Sequence, residues 1–141
     1  MEEIDFASNM QPVQSVAIIG AGNMGSGIAQ KTAQEEFDVQ MVDREPKWVE
    51  RGQTIIADFL SEAVERRIFS PEHVEQSKSR ITGVVGTENT ASDTDLVIEA
   101  VFEDFDIKSA VFNTLNEVCD ENTILASIFS ITPLRSSSFS S

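Results

Sequence analysis

A glycine motif at residues 20–25, Gly-Ala-Gly-Asn-Met-Gly, constrains the fold of this chain more than any other feature. It directly follows residues 15–19, an apolar run that is typical of a buried parallel strand, and it precedes a helical pattern. Gly20 permits a tight turn, Gly22 lets the backbone approach a pyrophosphate, and Gly25 lets the helix pack closely on the strand. In this context the motif predicts a βαβ unit that binds a dinucleotide at a helix N-terminus.

An acidic residue stands at the end of the next predicted strand, residues 39–42. Asp43 follows Gly20 by 23 residues, close to the spacing of about 20 that is typical of dinucleotide-binding units. Its carboxylate would accept hydrogen bonds from the adenosine ribose and repel a 2′-phosphate, which favours NAD over NADP. Arg44 keeps NADP open, because a neighbouring arginine can accommodate that phosphate. A glycine-rich turn beside an incidental aspartate is the structural alternative.

The rest of the chain alternates helices and strands, which predicts an α/β fold with a doubly wound parallel sheet of the Rossmann type, incomplete at its C-terminal end. Helices are expected from the glycine motif to residues 35–36, over 46–67, from 71 to about 78, and from about 108 to 118, and further strands over 81–85, 96–101 and 123–126. The predicted organisation is a flexible lead-in (1–14), a dinucleotide-binding domain (15–130) and a serine-rich tail (131–141) that is non-native or disordered.

Charge and cysteine content exclude several classes of function. The 10 basic and 24 acidic residues give a net charge of −14, a field that repels nucleic acid and anionic membranes. No apolar run approaches the roughly 18 to 20 residues of a membrane span. The single cysteine, Cys119, excludes an intrachain disulfide framework, and we expect no metal site. These features predict a soluble protein of a reducing compartment, the cytoplasm.

Several segments together resemble the NAD-binding domain of 3-hydroxyacyl-CoA dehydrogenases over roughly residues 15–127. They are residues 16–30 (VAIIGAGNMGSGIAQ), Val42-Asp43, residues 95–103 (DLVIEAVFE) and Lys108. The resemblance implies NAD as cofactor, an acyl-CoA substrate, and reversible oxidation of a 3-hydroxyacyl-CoA to the 3-ketoacyl-CoA in fatty-acid β-oxidation or butanoate metabolism. It also implies a second, helical domain that completes the site. Because a sheet that stops near its fifth strand should leave apolar surface exposed, we expect a homo-oligomer.

The resemblance assigns candidate site residues as well. The implied NAD contacts are Gly20, Gly22, Asn23, Met24, Gly25, Asp43, Ala100, Val101, Glu103 and Lys108. Without the resemblance, Glu103 and Lys108 would be interpreted as a solvated pair at a helix start. Arg66, where the family usually has lysine, is the implied contact to CoA, because arginine can bind a phosphate. The alternative interpretation is that Arg66 lies on the solvent-exposed face of a helix and has no ligand.

The chain departs from the family pattern after Ser127. Ser130 matches the catalytic serine by position only, because Ile128 and Phe129 replace the asparagine and threonine that precede it. His73, the only histidine, is expected to be an exposed helix residue with no catalytic role. The resemblance therefore implies an enzyme cut off within its first domain, before the general-base histidine, and inactive as these 141 residues alone.

Two other functions stay open at this point. One is a non-catalytic module that binds NAD or a partner, which the missing base favours. The other is an NAD-dependent dehydrogenase of a different hydroxy acid. The segment at residues 98–103, Ile-Glu-Ala-Val-Phe-Glu, favours a 3-hydroxyacyl-CoA dehydrogenase over the latter.

Overall fold

Five parallel strands form a single sheet in the computed structural model, which describes residues 12–101 and 104–128. In chain order the strands are β1 (Ser15–Ile19), β2 (Asp38–Asp43), β3 (Ile81–Val85), β4 (Leu96–Glu99) and β5 (Ile124–Ser127), and their order in the sheet is β3-β2-β1-β4-β5. The chain moves outward from β1 to β3 and then crosses back to β4 on the other side of β1. This reversal is the switch point beside which such sheets bind ligands.

Helices cover both faces of the sheet. They are α1 (Asn23–Gln34), α2 (Pro46–Glu65), α3 (Pro71–Ser79) and α4 (Phe105–Val118), with a 3₁₀ turn at Thr87–Asn89. Alternate residues of β1 point to opposite faces. Val16 and Ile18 pack in a core with α1, α2 and α3, whereas Ala17 and Ile19 pack in a core with α4. The predicted doubly wound parallel sheet is confirmed.

The fourth strand is shorter than the sequence pattern indicates. It was expected to reach Val101, but it ends at Glu99. Its neighbour β1 ends at Ile19, where the chain turns into the glycine motif. The last hydrogen bond between β1 and the segment after β4 is therefore the one that the Ala100 N–H donates to the Ile19 carbonyl at 2.8 Å. Val101 therefore has no strand partner on that side.

Two helices are terminated by residues just after their last turn that sequence patterns do not mark as stops. Glu36 and Arg67 adopt the left-handed conformation, with φ of 73° and 58°, a region that favours glycine. After α2, the Ile68 N–H donates to the Ala63 carbonyl at 2.8 Å, which closes the helix end as in a Schellman motif. The helix expected over 46–67 is accordingly two residues too long, since it ends at Glu65.

The amino edge of the sheet is held by one carboxylate. Asp95 Oδ2 accepts hydrogen bonds from the Gln14 and Ser15 N–H groups, each at 3.0 Å, and from Ser15 Oγ at 3.1 Å. These bonds, first that of Gln14 and then that of Ser15, lower the pKa of Asp95 below its ordinary value, because they stabilise the charged form. Asp95 thus joins the start of β1 to the start of β4.

Candidate dinucleotide-binding site

Two glycines of the motif are required by the fold itself. Gly20 has a φ of +115°, and a Cβ there would lie 2.7 Å from the Ala100 carbonyl oxygen. A Cβ at Gly25 would collide with the Gly20 carbonyl oxygen. Both positions are buried, so a larger residue at either would displace the loop from β1 and β4.

Gly22 is different, because the fold does not require a glycine there. Its φ is −75°, which any residue adopts, and nothing lies within 4 Å of the position that its Cβ would occupy. The residue is exposed. Absence of a side chain therefore leaves open space above the loop, next to the start of α1.

The N-terminus of α1 has no capping side chain. Gly22 is the N-cap residue, it makes no side-chain cap hydrogen bond, and the first turn contains no acidic residue. By contrast, Ser70 caps α3 and Asp104 caps α4 through their side-chain oxygens. The first-turn N–H groups of a helix lack intrahelical acceptors and carry its positive end. This loop can therefore receive an anionic group over Gly22 despite the acidic composition, and it fits a pyrophosphate.

Asp43 lies directly beside this loop. Its Oδ2 accepts a hydrogen bond from the Ala21 N–H at 2.9 Å, and its Oδ1 accepts one from the Arg44 N–H at 2.7 Å. The side chain is half-buried at the end of β2, and Arg44 is exposed next to it. Since a carboxylate offers about four acceptor positions, Asp43 retains capacity for ribose hydroxyls while the loop holds it in place.

A basic and aromatic cluster follows Asp43 at the start of α2. The Lys47 ammonium lies 5.0 Å from the centre of the Trp48 ring, and the Arg51 guanidinium carbon lies 5.9 Å from it. The sequence analysis did not identify this cluster of Lys47, Trp48 and Arg51. The spacing of four residues between Lys47 and Arg51 on one helix was the available signal.

Glu99 is fully buried at the carboxyl end of β4. Its Oε1 accepts a hydrogen bond from Ser127 Oγ at 2.7 Å, and its Oε2 accepts one from the Val101 N–H at 2.7 Å. The Lys108 ammonium lies 3.5 Å from Oε1, and the Lys108 side chain is only 14% exposed. The interpretation of Lys108 as one half of a solvated pair is therefore wrong. An acidic residue inside an apolar strand was the signal for this arrangement.

The remaining implied contacts fall into two groups. Asn23 and Met24 are exposed on the first turn of α1, and Ala100 and Val101 are half-buried where β4 ends, so all four lie at the same edge of the sheet as Asp43. Glu103 and Ser130 lie outside the described residues.

Arg66 does not lie next to the glycine loop, because α2 separates the two along the chain. It follows the C-terminal end of this twenty-residue helix, whereas the start of the helix lies next to Asp43. Arg66 is exposed and forms an ion pair with Glu62 at 2.7 Å. Phe59, two helical turns before Arg66 on the same face, is 54% exposed. Both side chains are accessible to a ligand that lies along α2.

His73 is half-buried, not exposed as the sequence suggested. Its ring centre lies 4.9 Å from that of Phe69, because the turn before α3 folds Phe69 back onto the helix. It lines a polar hollow with Glu35 and Arg80 at the C-terminal end of α1. The glycine loop lies at the other end of this twelve-residue helix, about 18 Å away at 1.5 Å per residue.

Within residues 12–101 and 104–128, no three His, Cys, Asp or Glu side chains are grouped so that they could hold a metal ion. None of the helices in this part of the chain is long and apolar enough to cross a bilayer. Cys119 is a buried thiol that is not part of a disulfide.

The fold and the loop define a Rossmann-type dinucleotide-binding domain. The family described as "3-hydroxyacyl-CoA dehydrogenase, NAD binding domain" matches residues 15–138. The chain belongs to this family, and NAD is the cofactor of the family domain.

Known relatives carry related names. A probable 3-hydroxyacyl-CoA dehydrogenase of Caenorhabditis elegans is 32% identical over 120 residues, which cover 82% of this chain and 40% of the relative. A probable 3-hydroxybutyryl-CoA dehydrogenase of Bacillus subtilis is 35% identical over 122 residues, covering 86% of this chain and 42% of the relative. The crystal structure of (S)-3-hydroxybutyryl-CoA dehydrogenase from Ralstonia eutropha superimposes with a TM-score of 0.78 at 32% identity, covering 82% of this chain and 41% of that one. The chain thus spans less than half the length of these relatives.

Proposed function

We propose that this chain binds NAD(H) at the carboxyl edge of its sheet, as the dinucleotide-binding part of a 3-hydroxyacyl-CoA dehydrogenase. The observation that carries the proposal is the open space over Gly22 at the uncapped N-terminus of α1, directly beside the Asp43 carboxylate. Contacts within the fold leave no room for a side chain at Gly20 or Gly25 of the same loop, whereas no contact within the fold requires a glycine at Gly22. A bound pyrophosphate accounts for it.

Each implied contact has a role in this proposal. The N–H groups of Asn23, Met24 and Gly25 hold the pyrophosphate, since they belong to the first turn of α1. Asp43 accepts hydrogen bonds from the adenosine ribose and disfavours a 2′-phosphate, so NAD binds in preference to NADP. On the other side of the switch point, the nicotinamide half of the cofactor is lined by Ala100, Val101, Glu103 and Lys108.

The proposed reaction is the reversible oxidation of a 3-hydroxyacyl-CoA to the 3-ketoacyl-CoA. Bound NAD supplies the acceptor for the hydride that leaves C3. The chain's own residues bind and orient: Arg66 attracts a phosphate of CoA, and Ser130, by its position, contacts the substrate hydroxyl. General-base catalysis needs a group within hydrogen-bond reach of that hydroxyl, and His73, the only imidazole, lies beside the far end of α1. We therefore propose that these 141 residues alone do not turn over.

A non-catalytic NAD-binding module is the second candidate. It is favoured by Ile128, an apolar residue that replaces the asparagine usual in the family and whose N–H donates to the Glu99 carbonyl at 3.1 Å. Turnover separates the two candidates. NADH oxidation with acetoacetyl-CoA by a protein that contains this domain together with a family helical domain supports the enzyme, whereas NADH binding without turnover there supports the module.

Titration of purified protein with NADH and NADPH, followed by Trp48 fluorescence, tests the proposal directly. Trp48 is half-buried between Lys47 and Arg51 at the start of α2, so binding next to Asp43 should change its emission. We expect NADH to bind more tightly than NADPH. Equal or tighter binding of NADPH would mean that Arg44 outweighs Asp43, and it would refute the ribose assignment.

Partners and compartment are further parts of the proposal. We propose an acyl-CoA substrate, no nucleic-acid partner, a homo-oligomer and a cytoplasmic location. Exposed Phe105 and Ile107 support self-association, because exposed apolar surface tends to be covered. Sedimentation that shows a monomer at all concentrations would contradict it. Since a Danio rerio relative is named as peroxisomal, cell fractionation should compare both compartments.

The division into a lead-in (1–14), a dinucleotide-binding domain (15–130) and a tail (131–141) is likewise proposed. Limited proteolysis tests it, because cleavage confined to the two terminal segments is expected. A cut within the sheet would contradict this division.

A further inference from the structure

Glu99 and Lys108 form a pair that the proposed roles do not explain. Glu99 is the last residue of β4, and it points to the same face as Val97, toward the core under α4, because side chains alternate along a strand. Ser127 is its register partner on β5. The carboxylate is thus placed inside the molecule, immediately below the edge where the dinucleotide is proposed to bind.

The surroundings of Glu99 fix its carboxylate in one orientation. Ser127 Oγ donates to one oxygen and the Val101 N–H donates to the other, both at 2.7 Å. Lys108 supplies the positive charge at 3.5 Å. A buried ion pair contributes little to stability compared with apolar side chains of similar size. A purely structural need would be met as well by an apolar residue, so the pair calls for a role at the site.

The backbone of Lys108 is fixed as well. Asp104 caps α4 by accepting hydrogen bonds from the Asp106 and Ile107 N–H groups, and its carbonyl accepts one from the Lys108 N–H at 3.0 Å. With its backbone in the first turns of α4 and its ammonium group at Glu99, the long side chain has little rotamer freedom left to lose. Such preorganisation raises affinity because less conformational entropy is lost on binding.

We propose that Glu99 is a positioning residue, which holds the Lys108 ammonium at the carboxyl edge so that it meets the bound dinucleotide in one fixed geometry. The inference rests on the proposed function, since NADH is the ligand by which it is measured. Glu99 itself makes no contact with the ligand in this proposal and acts through Lys108.

The test is a double-mutant cycle with Glu99→Gln and Lys108→Met, in which the dissociation constant of NADH is measured. Glutamine has the size of glutamate, but only one of its two head-group atoms can accept hydrogen bonds. If the glutamine oxygen accepts the hydrogen bond from the Val101 N–H, the glutamine NH₂ group faces Ser127 and Lys108 and repels the ammonium. We expect each single variant to bind NADH about tenfold more weakly, and the double variant to bind no more weakly than Lys108→Met. Losses that multiply in the double variant would overturn the inference.

Asp95→Asn is the matched control. It also neutralises a hydrogen-bonded carboxylate of the same sheet, but at the opposite edge. It should leave NADH binding unchanged alone and when combined with Lys108→Met. An effect on NADH as large as that of Glu99→Gln would assign the loss to general loosening of the sheet and would overturn the inference.

A second readout detects the position of the ammonium group without any ligand. Reductive methylation of Lys108, followed by mass spectrometry, should be faster in Glu99→Gln than in the unmodified sequence or in Asp95→Asn. Unchanged reactivity would overturn the inference.

If Glu99→Gln does not fold by circular dichroism, Ser127→Ala replaces it in the cycle, because it removes one bond to Glu99 but keeps the charge. It should weaken NADH binding about threefold, and only while Lys108 is present. If the unmodified protein binds no NADH, the proposed function fails and this inference with it. NADH binding with multiplicative losses refutes the inference alone.

Discussion

The two edges of the sheet use their carboxylates in different ways. At the amino edge, Asp95 accepts three hydrogen bonds from Gln14 and Ser15 and joins β1 to β4. At the carboxyl edge, Asp43 is oriented by the Ala21 and Arg44 N–H groups and stays next to open space. In a parallel sheet the chain leaves every strand at the carboxyl edge, and here β1, β2 and β4 are each followed by a helix that begins there. Helix N-termini and side chains with unused hydrogen-bond acceptors therefore lie at that edge. At the amino edge, polar groups can form their hydrogen bonds with other groups of the protein.

The largest expected effect is that of Gly22→Val. The valine side chain would occupy the space proposed for the pyrophosphate, so NADH binding should fall at least a hundredfold, about 2.7 kcal/mol. The unfolding free energy should change by no more than about 1 kcal/mol, because nothing lies within 4 Å of the new Cβ. Fluorescence titration and urea unfolding measure the two quantities. A folded variant that binds NADH normally would refute the assignment of the loop.

Asp43→Asn should have the next largest effect. Loss of a charge-assisted hydrogen bond to the ribose costs about 2 kcal/mol, so NADH should bind roughly thirtyfold more weakly. NADPH should bind no more weakly than before, because the repulsion of its 2′-phosphate is removed. Isothermal titration calorimetry with both cofactors measures the change in preference. A preference for NADH that survives the substitution would contradict the role of the charge.

The pH dependence of the unfolding free energy of Asp95→Asn tests the role of Asp95 at the amino edge. Because hydrogen bonds hold the folded-state pKa of Asp95 below its ordinary value, this group stabilises the fold above the unfolded-state pKa of about 3.9. That contribution is lost as the pH falls through the lower, folded-state pKa. Urea unfolding between pH 3 and 7 should show a smaller loss of stability on acidification for the variant than for the unmodified protein. Parallel curves would show that Asp95 is not responsible.

Gly27→Ala should give the smallest effect and serves as the control for Gly22→Val. Gly27 lies within α1, is exposed, and has nothing within 4 Å of its missing Cβ. Alanine in a helix interior is favoured over glycine by roughly 0.5–1 kcal/mol. Thermal unfolding should therefore show slight stabilisation, with NADH binding unchanged. Weaker NADH binding would mean that the whole exposed side of α1 excludes side chains, and that Gly22 is not special.

The sequence predicted the features that depend on local spacing. The turn at Gly20 and the acidic end of β2 at Asp43 follow from glycine positions and strand length, and both are where they were expected. The position of Glu99 in an apolar strand indicated its burial, but its partners Ser127 and Lys108 could not be predicted, because other parts of the chain bring them to it. The partial burial of His73 could not be predicted either. It depends on a contact with Phe69, which requires a turn that local sequence patterns do not specify.

The pairing of β1 with β4 has a kinetic consequence. Ser15 and Asp95 are separated by 80 residues, so their contact requires closure of a long loop, and such non-local contacts slow folding. The turn at Gly20 packs against Ala100, so the proposed NADH site is complete only after β4 has docked on β1. We expect NADH to slow the unfolding rate and to leave the refolding rate unchanged in stopped-flow experiments. Refolding that accelerates with NADH would place assembly of the site before the rate-limiting step.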